Sequence, residues 1–228
     1  MSYYRGGGQT QGSIESQYIN GNKISCLPFT LEKKSLDSKN NNFYVNKQTA
    51  TLEQLCKSRL QFKTVGKSYS NYKTPCTCKK SDFYILITNY VSIESPLTCG
   101  NCNKSVPLYK LPPYYDHGYL PILRWETNYI SCDNLQMNCE VGERWALNQM
   151  QEVTSQLSKQ GIGICNDLYK LTTIPAFYYL HNYRKHDTNF LNNCPNCNKK
   201  WSLKNKLHNF YDLKCDNCHL ISIKSANS

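Results

Sequence analysis

The chain has 228 residues, 39% of them hydrophobic, with thirteen cysteines and a formal net charge of +11. That length suits roughly one full domain and a small accessory one. No stretch reaches the roughly 18 consecutive apolar residues of a membrane span, and no apolar block of a secretory signal opens the chain, so the expected compartment is the cytoplasm and no membrane partner is expected. The cysteine count is odd and eight of the thirteen fall in close pairs, a pattern that argues for metal rather than a secreted disulfide framework.

In chain order, residues 1–22 carry Gly6, Gly7 and Gly8 followed by Gln, Ser and Asn, too little apolar surface to order themselves, and they read as a flexible arm. Residues 23–29 have strand character, and residues 35–42 read as an Asn-rich loop. A short helix is expected over 51–59, where Thr51 and Gln54 have the spacing of a capping box and Leu52, Leu55 and Cys56 share one face. A turn-rich linker follows over 66–75. The run FYILITNYVSI, residues 83–93, is β-branched and aromatic between polar turns and reads as a strand. After the proline-rich PLYKLPPYY, a helix is expected over 143–150. A second one carries Leu157, Gly161, Ile164, Leu168 and Leu171 at helical spacing and is stopped by Pro175. Residues 176–183, AFYYLHNY, return to strand character and lead into the last segment.

That last segment holds CPNC at Cys194 and Cys197 and CDNC at Cys215 and Cys218, with seventeen residues between the pairs. Two such pairs match a four-cysteine zinc ribbon, in which each knuckle turns its backbone amides onto the thiolate sulfurs. Asn196, Asn198 and Asn217 tolerate those tight turns. A second candidate cluster is Cys76 and Cys78 with Cys99 and Cys102, twenty residues apart and enclosing the strand. Its first half is CxC, whose two cysteines can face one way from an extended segment. His181, His186, His208 and His219 are alternative ligands for either site. Cys26, Cys56, Cys132, Cys139 and Cys165 read as buried small hydrophobes. A four-thiolate zinc has no open coordination position, so neither ion would be catalytic.

These readings give an α+β chain: a flexible arm over 1–22, a mixed strand and helix body over 23–190 with one four-cysteine zinc cluster, and a C-terminal zinc ribbon over 191–228. The blocks from Cys76 to Cys78, SPLTCGNCNKSVPLYKLP, GERWALNQ, TTIPAFYYLHNYR and the CPNC to CDNC ribbon resemble an uncharacterised bacterial family described as zinc-ribbon-containing and labelled as candidate nucleic-acid binders. The resemblance covers residues 76–222.

Charge is unevenly spread: +6 over 1–70, +3 over 71–110, −3 over 111–183 and +5 over 184–228. Zinc on four thiolates carries about two negative charges, so two filled sites leave about +7. Basic and aromatic residues gather near the ribbon, namely Arg184, Lys185, Lys199, Lys200, Trp201, Lys204, Lys206, Phe210, Tyr211 and Lys214. Cations that grip phosphate and rings that stack on bases suit RNA or a single strand better than duplex, because no recognition helix is apparent. The expected nucleic-acid contact is Lys199, Lys200, Trp201 and Lys204. The competing expectation is a protein-interaction module, such as an immunity or inhibitor protein covering a partner's active site. Abundant tyrosine and the acidic residues Asp116, Glu126, Asp133, Glu140, Glu143 and Glu152 would serve it. No enzyme is expected. The neighbours Asp116 and His117, Arg124 and Glu126, and Glu143 and Arg144 are better explained as ion pairs and caps, and Gly161 and Gly163 lack the strand-turn-helix setting of a phosphate loop.

Overall fold

A computed structural model describes residues 1–67, 74–114, 116–183 and 187–224, with side chains of 13–15 excepted. The chain is α+β and divides into two compact units.

The first unit comprises residues 1–77, 92–95 and 104–120. Its elements are α1 (Ser2–Gly6), the strands β1 (Gln11–Asn20) and β2 (Lys23–Phe29), and α2 (Phe43–Cys56). The expected flexible arm over 1–22 is therefore corrected. Tyr4 and Gln9 are buried, and β1 pairs antiparallel with β2 through Ile19 opposite Ile24. Gly21, at φ 56°, supplies the positive φ that the two-residue hairpin turn demands. The glycine run is a close approach rather than a linker. Gly8 has φ 72°, and a Cβ there would lie 2.6 Å from the Leu108 side chain and 2.9 Å from the Tyr109 amide. Helix α2 starts earlier than expected because Asn42 caps it, its Oδ1 accepting from the Val45 amide at 2.9 Å. Thr51 does not cap; its hydroxyl donates back to the Lys47 carbonyl at 3.0 Å. Val45 alone of α2 is buried, and Leu55 is 76% exposed. Residues 68–73 of the expected linker lie outside the described residues.

The second unit comprises residues 78–91, 96–103 and 121–228. It adds β3 (Tyr84–Leu86), β4 (Leu97–Cys99), α3 (Leu120–Asn138), α4 (Glu143–Gln151), α5 (Gln156–Thr172), β5 (Ala176–Tyr179), α6 (Thr188–Asn192), β6 (Ser202–Leu207), β7 (Tyr211–Cys215) and β8 (Leu220–Ser222). The six strands form one sheet in the order β4-β3-β5-β8-β7-β6. The inner pairs β3 with β5 and β5 with β8 are parallel, and the outer pairs are antiparallel. Helices α3, α4 and α5 lie in the crossover between β3 and β5, as a parallel pair requires. The C-terminal ribbon, residues 191–228, contributes strands to the same sheet: Tyr178 pairs with Leu220 and Tyr179 with Ile221.

Ile85, Phe177, Tyr179, Tyr211, Ile221 and Ile223 form one buried cluster on this sheet. On Tyr178 the ring of Trp125 packs edge-on at 6.0 Å. Gly161 of α5 lets Tyr178 approach so closely that a Cβ there would stand 2.3 Å from the ring. Burying each such large side chain contributes about 1.5–3 kcal/mol. The strand expected over 83–93 is cut to Tyr84–Leu86. Beyond it the Asn89 side chain accepts from the Val91 amide at 3.1 Å and Asp133 takes the Tyr90 amide at 2.8 Å, so the backbone donors there turn to side chains instead of a ladder. Helices α4 and α5 match expectation, whereas α3, at 19 residues, has no counterpart in the sequence reading.

Candidate metal centres

Three of the four cysteine pairs share one local design. Cys99 to Asn103 reads CGNCN, Cys194 to Asn198 reads CPNCN, and Cys215 to His219 reads CDNCH. In each, the residue after the second cysteine is left-handed: Asn103 at φ 55°, Asn198 at 57° and His219 at 51°. Asn tolerates this conformation better than most side chains because it bonds locally. The turn closes with the Asn198 amide on the Cys194 carbonyl and the Asn103 amide on the Cys99 carbonyl, both at 2.8 Å.

At the C-terminal centre, Cys194 follows α6 and Cys215 ends β7. The four sulfurs of Cys194, Cys197, Cys215 and Cys218 all lie within 4.8 Å of one another. Cys197 and Cys215 stand 3.6 Å apart, close to the edge of about 3.8 Å implied by tetrahedral bonds of about 2.3 Å to a metal. Burial pushes the Cys194 thiol up, against amide donation from Cys197 and Asn196. The Lys199 amide, donating to its sulfur, brings Cys197 down to about 7. The Asn196 amide group adds a bond to the Cys218 sulfur at 3.3 Å. Such donors favour the thiolate that a metal needs.

The first centre is built differently. Cys76, Cys78, Cys99 and Cys102 also bring their sulfurs within 4.8 Å, but only Cys99 and Cys102 sit on a knuckle. Cys76 is held extended, its amide donating to the Ser105 carbonyl at 2.8 Å beside a parallel bridge from Pro75 to Ser105. The Ser81 hydroxyl lies 2.9 Å from the Cys99 sulfur, and Asn101 locks the preceding loop by a two-way bond with Asp82. A Cβ on Gly100 would fall 2.4 Å from the Phe83 ring. The Gly100 carbonyl lies 2.6 Å from Nε2 of His208 in the β6 to β7 turn. Ser81 and Asp82 were not singled out from sequence, since polar residues two to three positions before a strand carry no pattern of their own; His208, expected as an alternative ligand, bonds the knuckle backbone instead.

Both groups can hold a metal ion by cysteine alone. His208 and His219 are otherwise engaged, His219 against the Phe177 ring at 5.3 Å. His181 has no hydrogen-bond partner at its buried Nε2 among the described residues, and His186 lies outside them. Of the five remaining cysteines, Cys132 and Cys165 are buried as expected, Cys26 is half-buried, and Cys56 and Cys139 are exposed, which corrects the expectation for them.

Lys199, Lys200 and Lys204 are exposed on and beside β6, the edge strand of the sheet. Trp201 is not available to a ligand. It is 2% exposed, and its indole N–H donates to the Phe190 carbonyl at 2.7 Å. Tyr211 is buried as well. Lys206 pairs with Asp212 at 3.4 Å. Lys214 pairs with Asp216 and lies over the Phe177 ring, 4.4 Å from its centroid. Arg184 and Lys185 lie outside the described residues. Within the acidic middle segment, Glu126 and Asp133 are buried, and burial raises the Asp133 carboxyl, so neither is displayed to a partner. No helix among the described residues is long and apolar enough to cross a membrane.

Three family profiles match the chain, each a domain of unknown function: DUF8589 over residues 1–66, DUF2310 over 78–181 and DUF8594 over 185–228. An uncharacterized protein of Haemophilus influenzae is 30% identical over 198 residues, covering 86% of this chain and 76% of the relative. A second uncharacterized protein of the same organism is 30% identical over 168 residues, covering 73% of this chain and 82% of the relative. No solved structure matches.

Proposed function

The chain belongs to the uncharacterised bacterial family of these relatives, and from that premise we propose that it is a non-enzymatic zinc protein that binds nucleic acid, RNA or a single strand, in the cytoplasm. One observation carries the reading: Lys199, Lys200 and Lys204 stand exposed around a knuckle and an edge strand, with no ion pair to a carboxylate among the described residues. Four thiolates in a tetrahedron suit zinc, and a closed coordination sphere has no position for a reacting water. Thirteen cysteines with no disulfide among the described residues fit a reducing compartment. With Trp201 in the core, the ribbon face grips by charge rather than by stacking on that ring, so affinity should depend steeply on salt.

Fluorescence anisotropy with a labelled single-stranded RNA and its duplex counterpart tests this. The combined charge reversal Lys199→Glu, Lys200→Glu and Lys204→Glu is expected to weaken single-strand binding at least about tenfold and to flatten the salt slope by roughly two units. Affinity that survives the triple reversal removes the ribbon face from the contact.

A second reading, a protein-interaction role such as that of an immunity or inhibitor protein, is supported by the β1–β2 hairpin. Ile19, Ile24 and Tyr18 there are 75%, 73% and 58% exposed. A partner retained on immobilised protein at high salt, and lost on Ile19→Asp with Ile24→Asp, would favour it.

A further inference from the structure

The first unit is the basic half of the molecule. Its ranges hold thirteen Lys and Arg against six Asp and Glu, whereas the second unit holds fourteen against ten before any thiolate charge is counted. Filled four-cysteine centres would take about two units each from the total, so the positive field belongs chiefly to the first unit.

Within that unit an open recess of about 480 Å³ is lined by Glu32, Lys33, Lys34, Lys39, Asn40 and the pair Tyr109 and Lys110. Its backbone is fixed. The Asn40 amide group donates to the Lys34 carbonyl at 2.8 Å and the Ser35 carbonyl at 3.2 Å, and buried Gln9 donates to the same Ser35 carbonyl at 2.9 Å. The recess carboxylate is already committed. Glu32 accepts from the Tyr109 hydroxyl and from the Lys110 ammonium, the latter at 2.6 Å. Lys33, Lys34 and Lys39 then face the recess with no ion pair among the described residues, and exposed Asp37 is the other nearby carboxylate. Four ammoniums against two carboxylates leave a local charge of +2.

We propose that this recess is a phosphomonoester site. The charge is the argument: a monoester carries about −1.5 to −2 at neutral pH, matching the recess, whereas an internal diester carries about −1. Lysine binds phosphate as a point charge and needs no planar fork. The volume falls in the range of roughly 300–1,000 Å³ that takes a nucleotide-sized ligand. The terminal phosphate of a nucleic acid and a free phosphorylated small molecule share this chemistry. The first source rests on the nucleic-acid reading above; the second does not.

The test uses the full zinc-loaded chain. Inorganic phosphate is titrated by calorimetry into the wild type, into Lys34→Glu with Lys39→Glu, and into Lys199→Glu with Lys200→Glu. All these lysines are exposed, and circular dichroism checks that each variant folds. In parallel, one single-stranded oligonucleotide is compared with and without a 5′-phosphate. Phosphate binding that falls at least about tenfold in the recess variant and is kept in the ribbon variant is expected. A 5′-phosphate preference lost in the recess variant assigns the site to a nucleic-acid end. Recess-dependent phosphate binding without that preference assigns it to a free phosphorylated ligand. Phosphate binding with no oligonucleotide binding keeps the site and removes the nucleic-acid reading. No phosphate binding, or binding equal in wild type and recess variant, overturns the proposal.

Discussion

The two cysteine centres each use four thiols and differ in how much of their geometry is local. At the C-terminal centre both pairs are knuckles, each closed within five residues by a left-handed Asn or His and by amides donating to sulfur. At the first centre one pair is a knuckle, and the other, Cys76 with Cys78, is placed by an extended segment bonded to Ser105. A self-contained knuckle is expected to present its thiolates with little help from the rest of the fold. An extended CxC must wait for the strand and loop that hold it.

Removing ligands gives the widest separation between the two. Wild-type protein should contain two zinc ions per chain by elemental analysis, and either Cys215→Ser or Cys78→Ser should leave one. Structural zinc supplies about 10–16 kcal/mol of apparent binding energy in small domains. Cys215→Ser, whose residue ends β7 inside the sheet, should therefore abolish cooperative unfolding of the second unit, while Cys78→Ser should lower its midpoint and keep it cooperative. One zinc in both the wild type and Cys78→Ser would make the first centre a cluster of thiols without metal.

Acid gives a smaller effect that must be subtracted before the centres are compared. Burial holds the pKa of His181 down to about 4 from 6.5. Between these values the unfolded chain binds the proton and the folded chain does not, so stability is lost as pH falls from 6.5 toward 4. The loss is about 2–3 kcal/mol, and stability is flat above that window as far as this group is concerned. Urea midpoints at neutral and mildly acid pH should show His181→Gln lacking that part of the slope, which leaves the thiolate contribution exposed.

The finest distinction is at the left-handed positions. Asn198→Ala and Asn103→Ala should each cost about 1–2 kcal/mol, and the glycine substitutions much less. Equal costs read in thermal melts would mean that the two knuckles are equally local; a larger cost at Asn103 would show the first centre leaning on its knuckle to compensate for the open CxC pair.

The same contrast explains what could be read from sequence. Knuckles were legible because spacing and turn chemistry lie within five residues. So were α4 and α5, whose Ala146, Met150, Leu157, Ile164 and Leu168 bury at helical intervals. Helix α3 was not, because Glu126, Asp133 and Gln136 sit on its buried face between Trp125, Tyr129 and Cys132 and break the apolar stripe. The N-terminal glycines misled, since Gly8 is needed for contact with Leu108 and Tyr109, a hundred residues away in sequence. Of the expected nucleic-acid contact, the three lysines are on the surface, but Trp201 was drawn into the core by the Phe190 carbonyl and ring. Composition alone does not tell a stacking ring from a packing one.

The order of strands also sets the pace at which the sheet can assemble. Strands β6, β7 and β8 are neighbours in sequence, and metal can gather them early. Tyr84 of β3 must find Ala176 of β5 across 91 intervening residues, a closure whose entropy is lost before any ladder bond is made. Refolding should therefore be biphasic, with a fast phase that depends on zinc concentration and a slower one that does not. In the interval β8 offers the unpaired edge meant for β5, and a second chain arriving at that moment could take its place.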